Sequence, residues 1–245
     1  MKYIYKIYYY FESVLTTIKL YFISERLFST YLINTTNPLT DLMELHGSDK
    51  GSNTGKNTTY SWDAHTYTDF YNLFFSQSKE YIHNLLEIGI GTNKIDYDSS
   101  MGVSSKPGAS LRAWKQYFPN ALIYGCDIDK SILFKEDRIN CFFIDQLIPE
   151  TITDFINLLP PKLKFDIIID DGLHTFEAGT NSFLNLFASL SDNGFYIIED
   201  VSNKDLLRYK KFFSKVYGVN CFFIRLSRNR IINRDNNLII ISNSF

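Results

Sequence analysis

The chain has 245 residues, of which 45% are hydrophobic and 21% are charged. A single α/β domain of this length buries most of its apolar surface, and the composition excludes a disordered chain. The formal net charge of −2 argues against a protein that binds nucleic acid by bulk electrostatic attraction. We therefore expect a small-molecule partner and no nucleic acid.

Three cysteines, Cys126, Cys141 and Cys221, lie far apart in apolar runs. This pattern is typical of reduced, buried thiols and not of a disulfide framework. It favours a cytoplasmic protein in which the three thiols serve only to pack the core.

The N-terminal stretch 3–33 is rich in Tyr, Phe, Ile and Leu. Charged residues interrupt it before any apolar run reaches the roughly 18 residues of a spanning helix, so we predict no transmembrane segment. An amphipathic helix that covers the domain or a sister subunit is favoured, and it would support a homo-oligomer; attachment to a membrane surface is the alternative. We divide the chain into a helical and loop extension, 1–60, and a domain, 61–245.

Beyond the polar loop region, short apolar runs alternate with segments of helical periodicity. The runs cover 85–90, 122–127, 141–144, 165–169 and 195–198. This alternation predicts a parallel sheet with helices on both faces. The last two runs, 219–226 and 237–241, have no helix-length segment between them and should form an antiparallel hairpin.

Ligands of open α/β sheets bind beyond the carboxyl ends of the strands. Gly89 and Gly91 follow the first run and let the backbone approach a cofactor closely, although an ordinary strand-to-helix turn fits equally well. Asp127 ends the second run, where a carboxylate can accept hydrogen bonds from a ribose diol. Asp145 and Gln146 follow the third run and suit an adenine edge or ribose, with a simple turn as the alternative.

Two acidic pairs follow the next two strands: Asp170 with Asp171, and Glu199 with Asp200. Carboxylates that converge on one cleft repel each other, and a hard divalent cation with oxygen ligands relieves this repulsion. His174 lies three residues beyond Asp171 and can point into the same cleft. We therefore predict a divalent metal site with His174 as a general base.

The combined motifs resemble those of the metal-dependent sugar O-methyltransferases that act on macrolide and other natural-product glycosides. Cephalosporin-hydroxylase-like methyltransferases share part of the pattern. The segments that carry the resemblance lie between about 42 and 201 and are Gly47-Ser48-Asp49-Lys50-Gly51, His65-Thr66-Tyr67, Leu86-Glu87-Ile88-Gly89, Gly108-Ala109-Ser110-Leu111-Arg112 with Trp114, Tyr117-Phe118-Pro119-Asn120-Ala121, Tyr124-Gly125-Cys126-Asp127-Ile128 and Asp170-Asp171-Gly172-Leu173-His174.

This resemblance implies a Rossmann-like class I methyltransferase with a mostly parallel seven-stranded sheet and a C-terminal antiparallel hairpin. It implies S-adenosylmethionine as methyl donor and Mg²⁺ or another divalent cation. Asp171, Glu199 and Asp200 are then the implied metal ligands, and His174 is the implied base. The implied cofactor-binding residues are Glu87, Gly89, Ser110, Arg112, Asp127, Asp145, Gln146 and Asp170.

The chain departs from the family pattern at two places. Leu173 replaces a small serine, which we expect to alter the acceptor pocket, and the loop 92–107 is lengthened, which suits a lid. His65 either lines the cleft or lies on a surface loop.

The expected function is transfer of a methyl group to a hydroxyl of a sugar or glycoside. A catechol or phenol acceptor and a non-catalytic binding protein are the alternatives. The segment 204–234 holds nine Lys or Arg and one acidic residue, which forms a solvated surface or attracts an anionic acceptor such as a nucleotide-linked sugar.

Overall fold

A computed structural model describes residues 37–51, 60, 62, 65–226 and 235–243, together with the backbone of 29–31. Most of the N-terminal stretch 3–33, where a helix is expected, lies outside these residues, and its described part, 29–31, is a strand. Part of the polar loop that follows and part of the basic segment also lie outside them. Within the part of the chain that the structure describes, no helix is both long and apolar enough to cross a membrane.

The described strands form one mixed sheet. In chain order they are β1 (Ser29–Tyr31), β2 (Asn84–Ile88), β3 (Leu122–Asp127), β4 (Lys135–Glu136), β5 (Ile139–Phe143), β6 (Phe165–Asp170), β7 (Leu190–Ile198), β8 (Val219–Leu226) and β9 (Asn237–Asn243). Their order across the sheet is β1-β8-β9-β7-β6-β2-β3-β5-β4. Strands β5, β3, β2, β6 and β7 are parallel, whereas β9 runs antiparallel to both β7 and β8.

The helices cover both faces of this sheet. They are α1 (Pro38–His46), α2 (Tyr67–Phe75), α3 (Ala109–Tyr117), α4 (Pro149–Leu158), α5 (Phe176–Leu186) and α6 (Asn203–Phe213). Residues of α1, α2 and α3 share one core cluster, and residues of α4, α5 and α6 share the other. Side chains buried on both faces explain why the central strands read as continuous apolar runs.

The fold class is confirmed, with one correction to the strand count. Seven strands form the expected parallel sheet with its hairpin, and two short strands, β1 and β4, extend the edges to nine. The expected hairpin is confirmed: β9 pairs with the last parallel strand, β7, and β8 lies beyond β9, with β1 outside β8.

Helix α1 packs against the core although it precedes residue 61. Asn37 begins it by accepting hydrogen bonds from the amides of Leu39 and Thr40 at 3.1 and 3.0 Å. Leu39 and Met43 are fully buried in the same cluster as α2 and α3. The division of the chain at residue 60 stays a prediction, and the segment 37–51 contributes to the core and, through Asp49 and Lys50, to the site.

Candidate active site

The carboxyl ends of β2, β3, β6 and β7 meet at one edge of the sheet and border a cavity of about 320 Å³. Its lining combines residues after each of these strands with the lengthened loop 92–107. The loop contributes Thr92, Asp96, Tyr97, Asp98, Ser99 and Met101. Leu173 also lines the cavity, at the position where the family pattern has a small residue.

The turn after β2 depends on a glycine. Gly89 has a φ of +84°, and a Cβ atom at this position would lie 1.9 Å from the backbone oxygen of Asp171. The amide of Asp171 also donates a 2.9 Å hydrogen bond to the carbonyl of Ile88. Because no side chain separates them, the turns after β2 and β6 lie in direct contact beside the cavity.

Asp171, His174 and Asp200 form the one potential metal-binding group among the described residues, with one ligand atom from each lying within 4.8 Å of the others. His174 and Asp200 have φ values of +57° and +51°. Non-glycine residues seldom adopt this conformation, which is more frequent for Asp and His than for bulkier residues. Two carboxylates and an imidazole are suitable donors for a divalent cation, so these residues fit the expected metal.

His65 contacts one carboxylate oxygen of Asp200, and His174 lies near the other. The Nδ1 atom of His65 lies 2.8 Å from Oδ1 of Asp200, and its Nε2 atom lies 3.7 Å from Oδ2 of Asp49. Burial opposes the charge on this imidazole, but Asp200 and Asp49 raise the pKa of His65 to about 10. The hydroxyl of Tyr67 also donates to Asp200. Burial disfavours the charged carboxylate too, yet the neighbouring imidazoles of His65 and His174 hold the pKa of Asp200 below its ordinary value.

A buried lysine lies beneath the metal group. The Nζ atom of Lys50 contacts carboxylate oxygens of Asp171 and Glu199 and lies 3.3 Å from Oε1 of Glu87. Tyr71 donates its hydroxyl to the other oxygen of Glu199. The side chain of Glu199 therefore faces Lys50 and Tyr71, and its assignment as a metal ligand stays a prediction.

Sequence reasoning did not single out Lys50, which lies 121 residues before Asp171 in the chain. The only signal was its place in the segment Gly47-Ser48-Asp49-Lys50-Gly51. His65, expected either in the cleft or on a surface loop, lines an open groove that also includes His174 and Asp200.

Three predicted cofactor-binding residues line the cavity: Asp127, Asp145 and Gln146. Oxygens of Asp127 accept hydrogen bonds from the amides of Ile90 and Asp129 at 2.9 and 2.8 Å. These bonds fix the carboxylate at the rim of the cavity.

Gln146 is held by a network of its own. It donates to Asp170 and Ser182 at 2.7 and 2.8 Å and accepts from the amide of Leu173 at 2.7 Å. Asp170 also accepts from Tyr196 and is buried outside the lining of the main cavity. Burial raises the pKa of Asp170 to about 6. This network supports the turn that carries Asp171 and His174.

The remaining predicted cofactor residues occupy different surroundings. Gly89 and Gly91 line the main cavity, whereas Ser110 borders a smaller cavity beside it. Glu87 is fully buried and accepts a 2.8 Å hydrogen bond from the indole of Trp114. Arg112 turns away from the cavity and pairs with Glu136, Nη2 to Oε1, at 2.6 Å. The roles of these residues toward a cofactor stay predictions.

Comparison with curated proteins identifies relatives across most of the described domain. The chain is 34% identical over 156 residues to the 8-demethyl-8-alpha-L-rhamnosyl tetracenomycin-C 2'-O-methyltransferase of Streptomyces olivaceus. The aligned region covers 64% of this chain and 35% of that protein. It is 34% identical over 174 residues to the Demethylmacrocin O-methyltransferase of Streptomyces fradiae, which covers 71% of this chain and 39% of that protein. The chain thus spans little more than a third of the length of these relatives. No family model matches the sequence.

Among solved structures, the fold is similar to that of MycE Methyltransferase from the Mycinamycin Biosynthetic Pathway in complex with Mg and SAH. The TM-score is 0.59 at 24% identity, and the match covers 86% of this chain and 55% of that one. At this identity the likeness shows the shared fold.

The described domain has the Rossmann-like fold of methyltransferases, with an acidic and histidine-containing group at the carboxyl ends of its strands. By sequence it is a relative of O-methyltransferases named for rhamnosyl tetracenomycin, macrocin and mycinamicin. The resemblance expected from the motifs is confirmed.

Proposed function

We propose that this protein is an S-adenosylmethionine-dependent and divalent-metal-dependent O-methyltransferase that acts on a hydroxyl of a sugar or glycoside. One observation carries the proposal: the group of Asp171, His174 and Asp200 lies where two cavities meet. His174 and Asp200 line both the 320 Å³ cavity and a second, open groove of about 220 Å³. A methyl donor and an acceptor in these two spaces would meet beside one metal ion.

The larger cavity suits the methyl donor. It follows the glycine turn at Gly89 and extends past Asp127 to Asp145. In sheets of this kind, nucleosides bind at the carboxyl ends of the strands, with an acidic residue on the ribose. A solved structure of the same fold was determined with SAH and Mg, which agrees with this choice of ligands.

The smaller groove suits the acceptor. Trp62 lies along it, 37% exposed, and its indole nitrogen donates a 2.9 Å hydrogen bond to Asp49. Ser99 and Ser100 line the same groove. An aromatic ring can pack against the apolar face of a sugar ring, and the polar groups around it can form hydrogen bonds with the sugar hydroxyls. The relatives named for rhamnosyl tetracenomycin-C and L-olivosyl-oleandolide support a glycoside acceptor.

When bound, S-adenosylmethionine supplies an electrophilic methyl group, and the divalent ion supplies a Lewis acid that makes a neighbouring hydroxyl more acidic. Asp171 and Asp200 would hold the ion, with Glu199 as the third ligand that the resemblance implies. His174 is placed to accept the hydroxyl proton at its imidazole, since it lines both cavities. His65 and Tyr67 orient Asp200 through their contacts with its carboxylate.

The acceptor, the cellular location and the oligomeric state expected from the sequence are also part of this proposal. A nucleotide-linked sugar is a further acceptor to test, a cytoplasmic location stays a prediction, and so does self-association through the N-terminal segment. The catechol or phenol acceptor keeps the same fold and metal site and differs only in what fills the groove.

Calorimetric titration of purified protein with SAH, with and without Mg²⁺, tests the proposal. We expect SAH to bind, and a metal-dependent heat to disappear in Asp171→Ala. Methyl transfer to rhamnosides and to catechols, measured side by side, then separates the two acceptor classes. Absence of SAH binding would exclude the methyltransferase function and leave a non-catalytic binding protein.

A further inference from the structure

Lys50 joins three carboxylates that the fold brings from three different strands. Glu87 lies near the end of β2, Asp171 follows β6 and Glu199 follows β7. The Nζ atom of Lys50 contacts all three, and the lysine side chain is only 3% exposed. The three carboxylates come from different strands, and the Lys50 ammonium group is the contact that they share.

Because these groups are buried, their charges must be paired with one another. A buried charge is costly unless it is paired, and several carboxylates close together repel each other. One ammonium group faces three carboxylates, so it neutralises only part of the acidic charge around it.

The loop that carries Lys50 is hydrogen-bonded to the segment that carries His65. The amide of Thr68 donates to the carbonyl of Lys50 at 3.1 Å, and the amide of His65 donates to the carbonyl of Asp49 at 3.1 Å. Lys50 thus contacts Asp171 while His65, on the adjoining segment, contacts Asp200. Asp171 and Asp200 of the potential metal group therefore each contact a basic side chain that lies outside the group.

We propose that Lys50 is a positioning residue of the metal site: braced by Glu199, its ammonium group holds the Asp171 carboxylate in the geometry in which Asp171 binds a divalent ion. This inference rests on the proposed function, because it assumes that the group binds metal. Outer partners that orient metal-binding side chains typically contribute 10- to 100-fold to metal affinity. The opposite role is that of a competing cation, whose removal would strengthen metal binding.

The test uses Mn²⁺ as probe, with free Mn²⁺ measured by its electron paramagnetic resonance signal. The variants are Lys50→Met, which removes the charge, and Lys50→Arg, which keeps the charge with different donor geometry. Lys164→Met is the control, because Lys164 is exposed and donates to the carbonyl of Ala188, outside the site. SAH affinity without metal, measured by calorimetry, reports whether each variant is folded.

We expect Mn²⁺ affinity to fall by roughly 10- to 100-fold in Lys50→Met, to fall less in Lys50→Arg and to be unchanged in Lys164→Met. SAH affinity without metal should stay within about threefold in all three if Lys50 acts only through the metal ligands. Should Lys50→Met fail to fold, the comparison of Lys50→Arg with wild type decides.

Two results would overturn the inference, and they are distinct. Unchanged or tighter Mn²⁺ binding in the Lys50 variants, with normal binding in wild type, would overturn the role of Lys50 alone. Wild-type protein that binds neither Mn²⁺ nor SAH would overturn the proposed function, and the inference with it.

Discussion

The Nδ1 atom of His65 lies 2.8 Å from Oδ1 of Asp200, and both side chains are largely buried. The imidazole is therefore held in its charged form by a carboxylate that belongs to the potential metal group. This ion pair links the segment before α2 to the turn after β7. It makes both the stability of the domain and the charge of the site depend on pH.

The first prediction concerns that pH dependence. The pKa of His65 is raised from its ordinary 6.5 to about 10 in the folded protein, so the folded state binds this proton more tightly than the unfolded state. The stability that results is complete below about pH 6.5 and is lost as the pH rises through about 10. In the presence of a chelator, His65→Asn should remove this dependence.

Melting temperatures of wild type and His65→Asn between pH 6 and 10 provide the measurement. The difference between the two proteins should shrink toward pH 10 by at least about 1 kcal/mol, or roughly 2–4 °C for a chain of this size. Other groups titrate in both proteins and cancel in the difference. Parallel curves across this range would contradict a charged His65.

The second prediction separates two roles of His174. Its Nε2 atom lies 3.6 Å from Oδ2 of Asp200, a position from which the imidazole can act as base or bind metal directly. As the base, His174→Ala should lose about 10²- to 10⁴-fold in turnover and keep the affinities for Mn²⁺ and SAH. Exposed His83, at the far end of β2, provides the control, and His83→Ala should behave as wild type.

Single-turnover methylation and Mn²⁺ titration of both variants give the answer. Loss of Mn²⁺ binding in His174→Ala would assign His174 as a metal ligand and leave the base unassigned. Full activity in this variant would exclude both roles.

Most of the sheet could be predicted because buried parallel strands consist of apolar runs with recognisable length. The predicted strands 122–127 and 219–226 coincide with β3 and β8. The beginning of β7 was missed, since Ser191, Asp192 and Asn193 are polar although they continue the strand. Strand β4 consists of two exposed charged residues, Lys135 and Glu136, and carries no apolar signal at all.

The convergence of Asp171, His174 and Asp200 could be predicted, because Asp171 and Asp200 lie just beyond the ends of β6 and β7 and His174 is three residues after Asp171. Lys50 could not be assigned in this way, since its role depends on a loop that reaches the cluster only in the folded chain. The environment of Arg112 was also outside the reach of motifs, because its partner Glu136 lies on the short strand β4 that the sequence does not reveal.

The third prediction concerns the glycine turn. Gly89→Ala should destabilise the protein by more than about 1–3 kcal/mol and abolish SAH binding, because strain at positive φ is joined by a clash with the backbone of Asp171. Gly218 is a matched control, with a φ of +79° and no atom within 4 Å of an added Cβ. Gly218→Ala should show the strain alone and keep SAH affinity.

Thermal unfolding and SAH calorimetry of the two variants measure the difference. A greater loss of stability in Gly89→Ala is the contribution of the close approach between the turns after β2 and β6. If the two variants lose equal stability and both bind SAH, the contact between these turns does not determine the site.

The last prediction concerns the three thiols, which the structure leaves free. Burial raises the pKa of Cys141 to about 11 and that of Cys221 to about 12, and it raises the pKa of Cys126 well above its ordinary range. Because the thiolate is the reactive form, native protein at pH 8 should react with a disulfide reagent at least about 100-fold more slowly than protein unfolded in guanidinium. In the unfolded protein all three thiols should react at once, with three equivalents of the reagent's thiol released per chain, and this serves as the internal control. Rapid labelling of one thiol in the native protein would show an accessible thiolate and would contradict the purely structural role expected for these cysteines.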